Sequence, residues 1–248
     1  MKRKMKVLSF LLAFSMILFI IITPHRVYAR DAEKTQCGVV FLGDSTTNAF
    51  SNYGLVPEHC VWTGIGNTLS MWDVSRKQIK ITQKALSEYK KLENYPKYAD
   101  KIKTNGKCFS MSVSDIVKMT SPEIIVITLG INGCSCMSET AFEHEYRSLI
   151  DTIKNSSQKT QIFLNSVLPV ANRSNKVKNE DVKKACKIIK KLAAEYSLNY
   201  IDTFSYIEKI KNGTDDIPTE ILDSQDGIHY SAYGCKKIIE FIETEIKK

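Results

Sequence analysis

Short, continuously apolar runs, each followed by glycine and small polar residues, constrain the fold of this chain more than any other feature. Residues 124–129 read Ile-Ile-Val-Ile-Thr-Leu, and residues 39–42 are apolar until Gly43-Asp44-Ser45 begins. A strand that is apolar on both faces is typical of a parallel sheet covered on both sides. Segments with helical periodicity separate these runs, so the sequence predicts an α/β fold in which helices flank a central parallel sheet.

The predicted elements follow from the period of the apolar residues. We expect strands over 39–42, 59–62, 124–129, 161–167 and 199–202. We expect helices over 75–92, 113–119, 138–153, 177–196 and 231–246. Residues 93–107 are polar and contain Pro96 and Gly106, which predicts an irregular inserted loop.

The N-terminus has the pattern of a secretory signal. Four basic residues between positions 2 and 6 precede an apolar run over 7–22, and Val27-Tyr28-Ala29 offers small residues to a signal peptidase. We expect cleavage after Ala29, a mature domain over 30–248 and a location outside the cytoplasm. The alternative is an uncleaved membrane anchor over 1–29, for which the apolar run is slightly short.

Charge and cysteine content argue against some classes of function. The formal net charge of +8 falls to +3 for residues 30–248, which hold 30 basic and 27 acidic residues. This balance argues against nucleic-acid binding. The seven cysteines cannot all pair within one chain, and none has zinc-finger spacing with a histidine partner. We therefore expect no metal and no cofactor, and we expect Cys186, in an apolar helical row, to be a buried thiol.

Polar residues that follow the predicted strands are the candidates for a site. Ligands of a parallel sheet bind beyond the carboxyl ends of its strands. Residues 43–45, 64–67 and 130–133 follow three predicted strands, and residues 226–229 precede the last predicted helix. The sequence therefore keeps its glycines and its chemically active side chains where a ligand would bind.

The serine, histidine and aspartate in these segments suit nucleophilic catalysis. Ser45 needs a base to take its proton, and histidine titrates in the right range. Asp226 precedes His229 by three positions and can reach the second imidazole nitrogen across a tight turn. The other histidines are weaker candidates, in the signal segment, at a strand start and within a helix: His25, His59 and His144. Taken alone, Ser45 would equally suit the N-cap of a helix.

Attack by a serine on an ester carbonyl creates an oxyanion, which needs hydrogen-bond donors already aimed at it. Three kinds of donor are available in the same segments: the backbone N–H of Ser45, a glycine N–H and an asparagine side-chain amide. The residue types of the four segments therefore fit one kind of chemistry, acyl transfer from an ester.

These four segments, in this order, resemble the sequence blocks of the SGNH (GDSL-type) hydrolase family. That family carries Gly-Asp-Ser near the N-terminus, then a glycine, a Gly-x-Asn-Asp and an Asp-x-x-His near the C-terminus. In this chain the blocks are Gly43-Asp44-Ser45, Gly66 within TGIGNT, Gly130-Ile131-Asn132-Gly133 and Asp226-Gly227-Ile228-His229. The resemblance spans residues 37–245, and the segments NSVLPV and YIDTFSYI are similar to those of an exported bacterial subgroup.

The resemblance implies a flavodoxin-like three-layer α/β/α sandwich with a central parallel sheet. It implies Ser45 as nucleophile, His229 as base and Asp226 as the partner of the histidine. It also implies an oxyanion hole formed by the Ser45 N–H, the Gly66 N–H and the Asn132 amide.

Three details of the blocks bear on this resemblance. Gly133 stands where the family usually has an aspartate that supports the loop, so restoring that aspartate is expected to be neutral or mildly helpful. Gly66 is preferred to Gly64 because Asn67-Thr68 matches the small polar pair usual after the family's glycine. The segment 73–105 is an insertion of unusual length, which we expect to cover part of the pocket.

The sequence thus predicts an exported serine esterase that removes small acyl groups, above all acetyl, from glycans, cell-wall polymers or small esters. Two alternatives stay open: an O-acyltransferase that uses the same serine, and a non-catalytic carbohydrate-binding surface protein. Hydrolysis and transfer differ only in whether water or a sugar hydroxyl accepts the acyl group. The sequence gives no indication of the oligomeric state.

Overall fold

The computed structural model describes residues 38–211, 213–222 and 224–248. The predicted secretory signal over 1–29, and with it the alternative of an N-terminal anchor, lies outside the described residues, as does Asp223. Within the described part, no helix combines the length and the apolar character that crossing a membrane requires.

Strands and helices alternate along the described residues, as the apolar pattern predicts. The strands are β1 (Val39–Gly43), β2 (Val61–Trp62), β3 (Gln78–Ile81), β4 (Lys103–Asn105), β5 (Cys108–Ser112), β6 (Ile124–Thr128), β7 (Gln161–Asn165) and β8 (Asn199–Ile201). The helices are α1 (Ser45–Asn52), α2 (Gln83–Tyr89), α3 (Tyr95–Tyr98), α4 (Val113–Thr120), α5 (Glu139–Ser156), α6 (Asn179–Glu195), α7 (Thr203–Ile210) and α8 (Ala232–Ile246). The sequence did not predict α1, β5 or α7.

Five of the strands form a parallel sheet in the order β2-β1-β6-β7-β8. β1 lies in the interior of this sheet, and its Phe41 is opposite Val61 on one side and Val126 on the other. The central position explains why residues 39–42 are continuously apolar, because both faces and both edges of β1 are covered. The predicted parallel sheet is confirmed.

Helices cover both faces of the sheet. Val40 and Leu42 belong to a hydrophobic cluster with residues of α2, α4, α5 and α6. Val39 and Phe41 point to the other face, into a cluster with residues of α1, α7 and α8. This alternation follows from the two-residue period of a strand. The result is the three-layer α/β/α sandwich that the sequence predicts.

The predicted helix over 75–92 is wrong in its first half. Residues 78–81 form β3, in which Ile79 and Ile81 are fully buried while Gln78 and Lys80 are half-exposed. β3 pairs antiparallel with β5, which supplies hydrogen bonds that the local sequence does not reveal. The helix begins only after Thr82, whose hydroxyl accepts a hydrogen bond from the Ala85 N–H and caps α2.

The inserted segment is a second, antiparallel sheet rather than a loop. Its order is β3-β5-β4, so the prediction of irregular structure over 93–107 is wrong for β4 and α3. The Lys80 N–H donates to the Thr63 carbonyl at 2.8 Å, which attaches the insertion to the segment that follows β2. Ile79 and Met111 are buried in the same cluster as Val40. The insertion therefore contributes to the main core.

A buried hydrogen-bond pair joins the insertion to the sheet, and we expect it to stabilise the fold. The Trp62 indole N–H donates to the Tyr89 hydroxyl at 3.0 Å, and that hydroxyl donates to the His59 carbonyl at 2.7 Å. Tyr89→Phe should lower the free energy of unfolding by about 1–3 kcal/mol, because it leaves the buried indole N–H without its acceptor. Tyr95→Phe in α3 is the matched control, with an expected change below about 0.5 kcal/mol. Equal effects in urea unfolding would contradict this account.

Candidate active site

The turn between β1 and α1 carries the first block of the candidate site. Asp44 is the N-cap of α1, and its carboxylate oxygen Oδ1 accepts hydrogen bonds from the Thr46 N–H at 3.1 Å and from the Thr46 hydroxyl at 2.8 Å. Ser45 is the first residue of the helix and is half-buried. The cap therefore belongs to Asp44, which leaves the Ser45 hydroxyl available for another contact.

Gly43 is required by a close approach between this turn and β6. A Cβ atom at position 43 would lie 1.9 Å from the Thr47 Oγ1 and 2.4 Å from the Thr128 Oγ1. These two hydroxyls are hydrogen-bonded to each other at 2.5 Å, directly beneath the turn. No side chain fits there, so α1 can start immediately after the strand.

Ser45, His229 and Asp226 lie in a continuous chain of hydrogen bonds. The Ser45 Oγ is 2.9 Å from the His229 Nε2, and the His229 Nδ1 is 2.6 Å from the Asp226 Oδ2. The imidazole is 41% exposed and the carboxylate 33% exposed. The fold thus joins the turn after β1 to the segment before α8, which are 184 residues apart in the case of Ser45 and His229.

The segment that carries Asp226 and His229 is a tight turn with its own hydrogen bonds. Gly227 has φ of +69°, a conformation that favours glycine, and its carbonyl accepts from the Ala171 N–H at 2.8 Å. Partial burial by itself raises the pKa of the Asp226 carboxyl, but hydrogen bonds from Ser224, Ile228 and His229 outweigh it and hold that pKa well below its usual range. The carboxylate beside His229 is therefore ionised at neutral pH.

The third block lies against the first. Full burial raises the pKa of the Asp44 carboxyl, while Thr46 and the backbone N–H groups of Gly130 and Ile131 act in the opposite direction. These two amides are close enough to the carboxyl to lower its pKa, although within the described residues the Asp44 Oδ2 accepts no direct hydrogen bond. This contact places the loop after β6 beside the turn that holds Ser45.

Asn132 connects the third block to the second. Its side-chain Nδ2 donates to the Thr68 hydroxyl at 2.7 Å, and it lies 3.5 Å from the Leu69 carbonyl. Asn132 and Thr68 are both exposed. The sequence did not predict this contact. The position of Thr68, directly after Gly66 and Asn67 of the second block, is the feature that could have indicated it.

The two glycines of the second block have different surroundings. Gly64 is buried, forms a backbone bridge with Ile79 of the insertion, and accepts at its carbonyl from the Asn67 N–H at 3.0 Å. Gly66 is exposed and lies two residues before Thr68. Because Gly64 is paired with the insertion, Gly66 remains the candidate N–H donor of this block.

Gly133 occupies a position where a side chain has no room, contrary to the expectation for its replacement by aspartate. A Cβ atom at this buried position would lie 2.8 Å from both the Cβ and the Cγ of Met71, and 3.0 Å from the Met137 Sδ. Met71 is fully buried and belongs to the main core. The space that an aspartate would need is filled by a methionine.

Two cysteines contact the main chain of the third block: the Cys134 Sγ donates to the Ile131 carbonyl and the Cys136 Sγ to the Asn132 carbonyl, both at 3.6 Å. Cys186 is buried as predicted, and burial raises the pKa of its thiol to about 12. Burial raises the pKa of the Cys134 thiol to about 12 as well, whereas Cys136 is exposed. Cys60 is disulfide-bonded. The raised pKa values of the partly buried Cys134 and the buried Cys186 argue against a role as thiolate nucleophiles.

The fold and these contacts define an α/β protein with a serine, a histidine and an aspartate in hydrogen-bond contact at the carboxyl edge of its parallel sheet. A family model described as GDSL-like lipase/acylhydrolase matches residues 39–242. The chain belongs to the GDSL-like lipase/acylhydrolase family.

Individual relatives agree with this assignment. The multidomain esterase of Ruminococcus flavefaciens is 29% identical over 152 residues, which cover 58% of this chain but only 18% of that relative's length. A solved GDSL-like lipase from Bacteroides thetaiotaomicron has a TM-score of 0.52 at 15% identity. The superposition covers 84% of this chain and 87% of the lipase chain. A solved acetyl xylan esterase has a TM-score of 0.50 at 18% identity, with coverage of 84% and 98%. At these identities the structural similarity establishes the shared fold.

The packing around Gly133 predicts that the family's usual aspartate is harmful here. We expect Gly133→Asp to lower the free energy of unfolding by about 1–3 kcal/mol, because it overfills the contact with Met71. Adding Met71→Ala should recover part of that loss, since it removes the atoms in conflict. The measurement is urea unfolding of both single variants and the double variant. A Gly133→Asp protein as stable as the wild type would contradict the steric account.

Proposed function

We propose that this chain is an exported serine esterase that removes small acyl groups, above all acetyl, from glycan or cell-wall substrates. The single observation that carries the proposal is the hydrogen-bond chain from the Ser45 Oγ through the imidazole of His229 to the Asp226 carboxylate, with distances of 2.9 and 2.6 Å. A nucleophile, a base and an orienting acid in mutual contact are the arrangement that acyl transfer requires.

In the proposed acylation step, the Ser45 Oγ attacks the carbonyl carbon of the bound ester. The His229 Nε2 accepts the serine proton as the new C–O bond forms. The Asp226 Oδ2 accepts from the Nδ1–H, which fixes the tautomer and stabilises the imidazolium. The imidazolium then gives its proton to the leaving alcohol, and the acyl group remains on Ser45.

In the deacylation step, a water molecule takes the place of the departed alcohol. His229 removes a proton from this water as the water oxygen attacks the acyl carbon. The second tetrahedral intermediate collapses with release of the carboxylic acid, and the proton returns from His229 to the Ser45 Oγ. The same groups serve both half-reactions, so the enzyme ends in its starting state.

Three donors would stabilise the negative charge on the carbonyl oxygen: the Ser45 N–H, the Gly66 N–H and the Asn132 side-chain amide. The Ser45 N–H is the first amide of α1, and the first amides of a helix have no partner within the helix. The Asn132 amide has two N–H groups: one donates to Thr68, and the other, which has only the long 3.5 Å contact with the Leu69 carbonyl, would donate to the oxyanion. The hydrogen bond from the Asn132 amide to Thr68, which joins the third block to the second, supports a joint role of the two blocks in the oxyanion hole.

Three observations favour a glycan outside the cytoplasm as the substrate. The predicted secretory signal over 1–29 favours a substrate outside the cytoplasm. One solved structure with this fold is an acetyl xylan esterase, a protein named for an acetylated polysaccharide. Ile65 and Trp72, both about half-exposed at 49% and 50%, flank the loop that carries Gly66 and Thr68 and offer apolar surface to a sugar ring.

The test of the proposed function is Ser45-dependent hydrolysis of p-nitrophenyl acetate and labelling by a fluorophosphonate probe. Ser45→Ala and His229→Ala should each lower kcat by on the order of 10³–10⁶-fold, because the three groups act as a unit. Ser51→Ala, in the same helix, is the matched control and should keep wild-type activity. Activity that survives Ser45→Ala would exclude the proposal. Product analysis with added sugar acceptors then separates hydrolysis from acyl transfer.

The proposed oxyanion role of Asn132 makes a separate prediction. Asn132→Ala should lower kcat by about 10²–10³-fold, because the lost donor acts on charge that develops in the transition state. KM should change little, since the ground-state carbonyl needs the donor less. Asn155→Ala, an exposed asparagine at the end of α5, is the control. An Asn132→Ala protein that loses thermal stability but keeps its kcat would instead make Asn132 a structural residue of the loop.

A further inference from the structure

Ser224 lies between the carboxylate of Asp226 and the main chain of His229. Its hydroxyl donates to the Asp226 Oδ1 at 2.6 Å and accepts from the His229 N–H at 3.1 Å. The same Oδ1 also accepts from the N–H groups of Ile228 at 2.9 Å and of His229 at 3.2 Å. With Oδ1 held by three donors, only Oδ2 faces the His229 imidazole.

The main chain of Ser224 is held in turn by Arg173, from the loop after β7. The Arg173 Nη2 donates to the carbonyls of Leu222 at 2.8 Å and of Ser224 at 2.9 Å, and its Nε donates to the Ser224 carbonyl at 3.3 Å. The Arg173 Nη1 lies 3.8 Å from the Asp216 carboxylate. A guanidinium presents its donors in a rigid plane, so several bonds from one side chain fix the position of the peptide they bind.

We propose that Ser224, anchored by Arg173, is a positioning residue that sets the orientation of the Asp226 carboxylate toward His229. The proposal rests on the proposed function, because it assigns Ser224 a part in that same reaction. Rotation of an aspartate carboxylate about its last bond is only weakly restricted by the side chain itself. Together with the N–H groups of Ile228 and His229, the hydroxyl of Ser224 supplies this restriction and favours the rotation in which Oδ2 meets the imidazole at 2.6 Å.

The surroundings of Ser224 favour positioning over a general role in stability. Ser224 is half-exposed in a loop, outside both hydrophobic clusters. Its hydroxyl contacts Asp226 and His229, and its carbonyl accepts from Arg173 and from the Gly227 N–H at 3.1 Å. Truncation of a half-exposed hydroxyl leaves no cavity in the core, and the fold should tolerate it.

The first test is a double-mutant cycle on p-nitrophenyl acetate hydrolysis. Ser224→Ala should lower kcat by about 10- to 100-fold with KM little changed, and Ser224→Thr, which keeps the hydroxyl, should restore most of the activity. In an Asp226→Asn background, Ser224→Ala should cost no more than about twofold, because the group through which it acts is already lost. Arg173→Ala should also lower kcat, because it removes the side chain that anchors Ser224.

The chain offers a matched control for the cycle. Ser205 forms a similar pair with Asp202 at the start of α7, with its hydroxyl 2.9 Å from the Asp202 Oδ2 and its N–H 3.0 Å from Oδ1. Ser205→Ala should leave kcat unchanged. The proposal is overturned if Ser224→Ala keeps full kcat, or if it costs the same factor with and without Asp226.

The second test does not depend on esterase activity. The proton shared by the His229 Nδ1 and Asp226 should give a far-downfield signal in the proton NMR spectrum of the wild type, absent from His229→Ala. Ser224→Ala should lose this signal through exchange with water, whereas Ser205→Ala should retain it. If the wild type hydrolyses no ester, the proposed function fails and this signal alone decides the positioning role. Absence of the signal from the wild type, or its unchanged presence in Ser224→Ala, overturns the proposal.

Discussion

Close packing between the β1–α1 turn and β6 is the constraint on which the rest of the site depends. With no side chain at Gly43, the hydroxyls of Thr47 and Thr128 meet beneath the turn at 2.5 Å, and the helix starts one residue after Asp44. Asp44 is then fully buried and caps α1, which leaves Ser45 at the helix start with its hydroxyl directed to His229. The buried packing of the apolar strand and the polar turn therefore fixes the position of the half-buried Ser45 hydroxyl.

The four sequence blocks are joined by contacts rather than by chain proximity. Ser45 meets His229, the amides of Gly130 and Ile131 act on the Asp44 carboxyl, and Asn132 donates to Thr68 of the second block. Each contact uses a loop at the carboxyl end of a parallel strand, or the turn before α8. Because those strand ends share one edge of the sheet, short loops are sufficient to bring the blocks together.

Two departures from the family pattern are explained by neighbouring packing. The insertion forms its own antiparallel sheet, and its β3 pairs with the segment after β2, so it both extends the core and holds the second block. Met71 fills the space beside Gly133 that an aspartate would need, so the loop after β6 is held there by apolar contact.

The sequence by itself determined the parallel sheet, most of its helices and the residues that meet in the candidate site. These follow from local properties: the period of apolar residues, the residue types at strand ends and the order of the blocks. Only the tertiary structure decided that residues 78–81 are a strand, that Met71 excludes a side chain at position 133, and that Arg173 holds Ser224. Strand pairing, steric exclusion and loop anchoring each involve atoms from segments far apart in sequence, whose meeting no local pattern encodes. The same reason hid the contact between Asn132 and Thr68, since it exists only once two loops share the edge of the sheet.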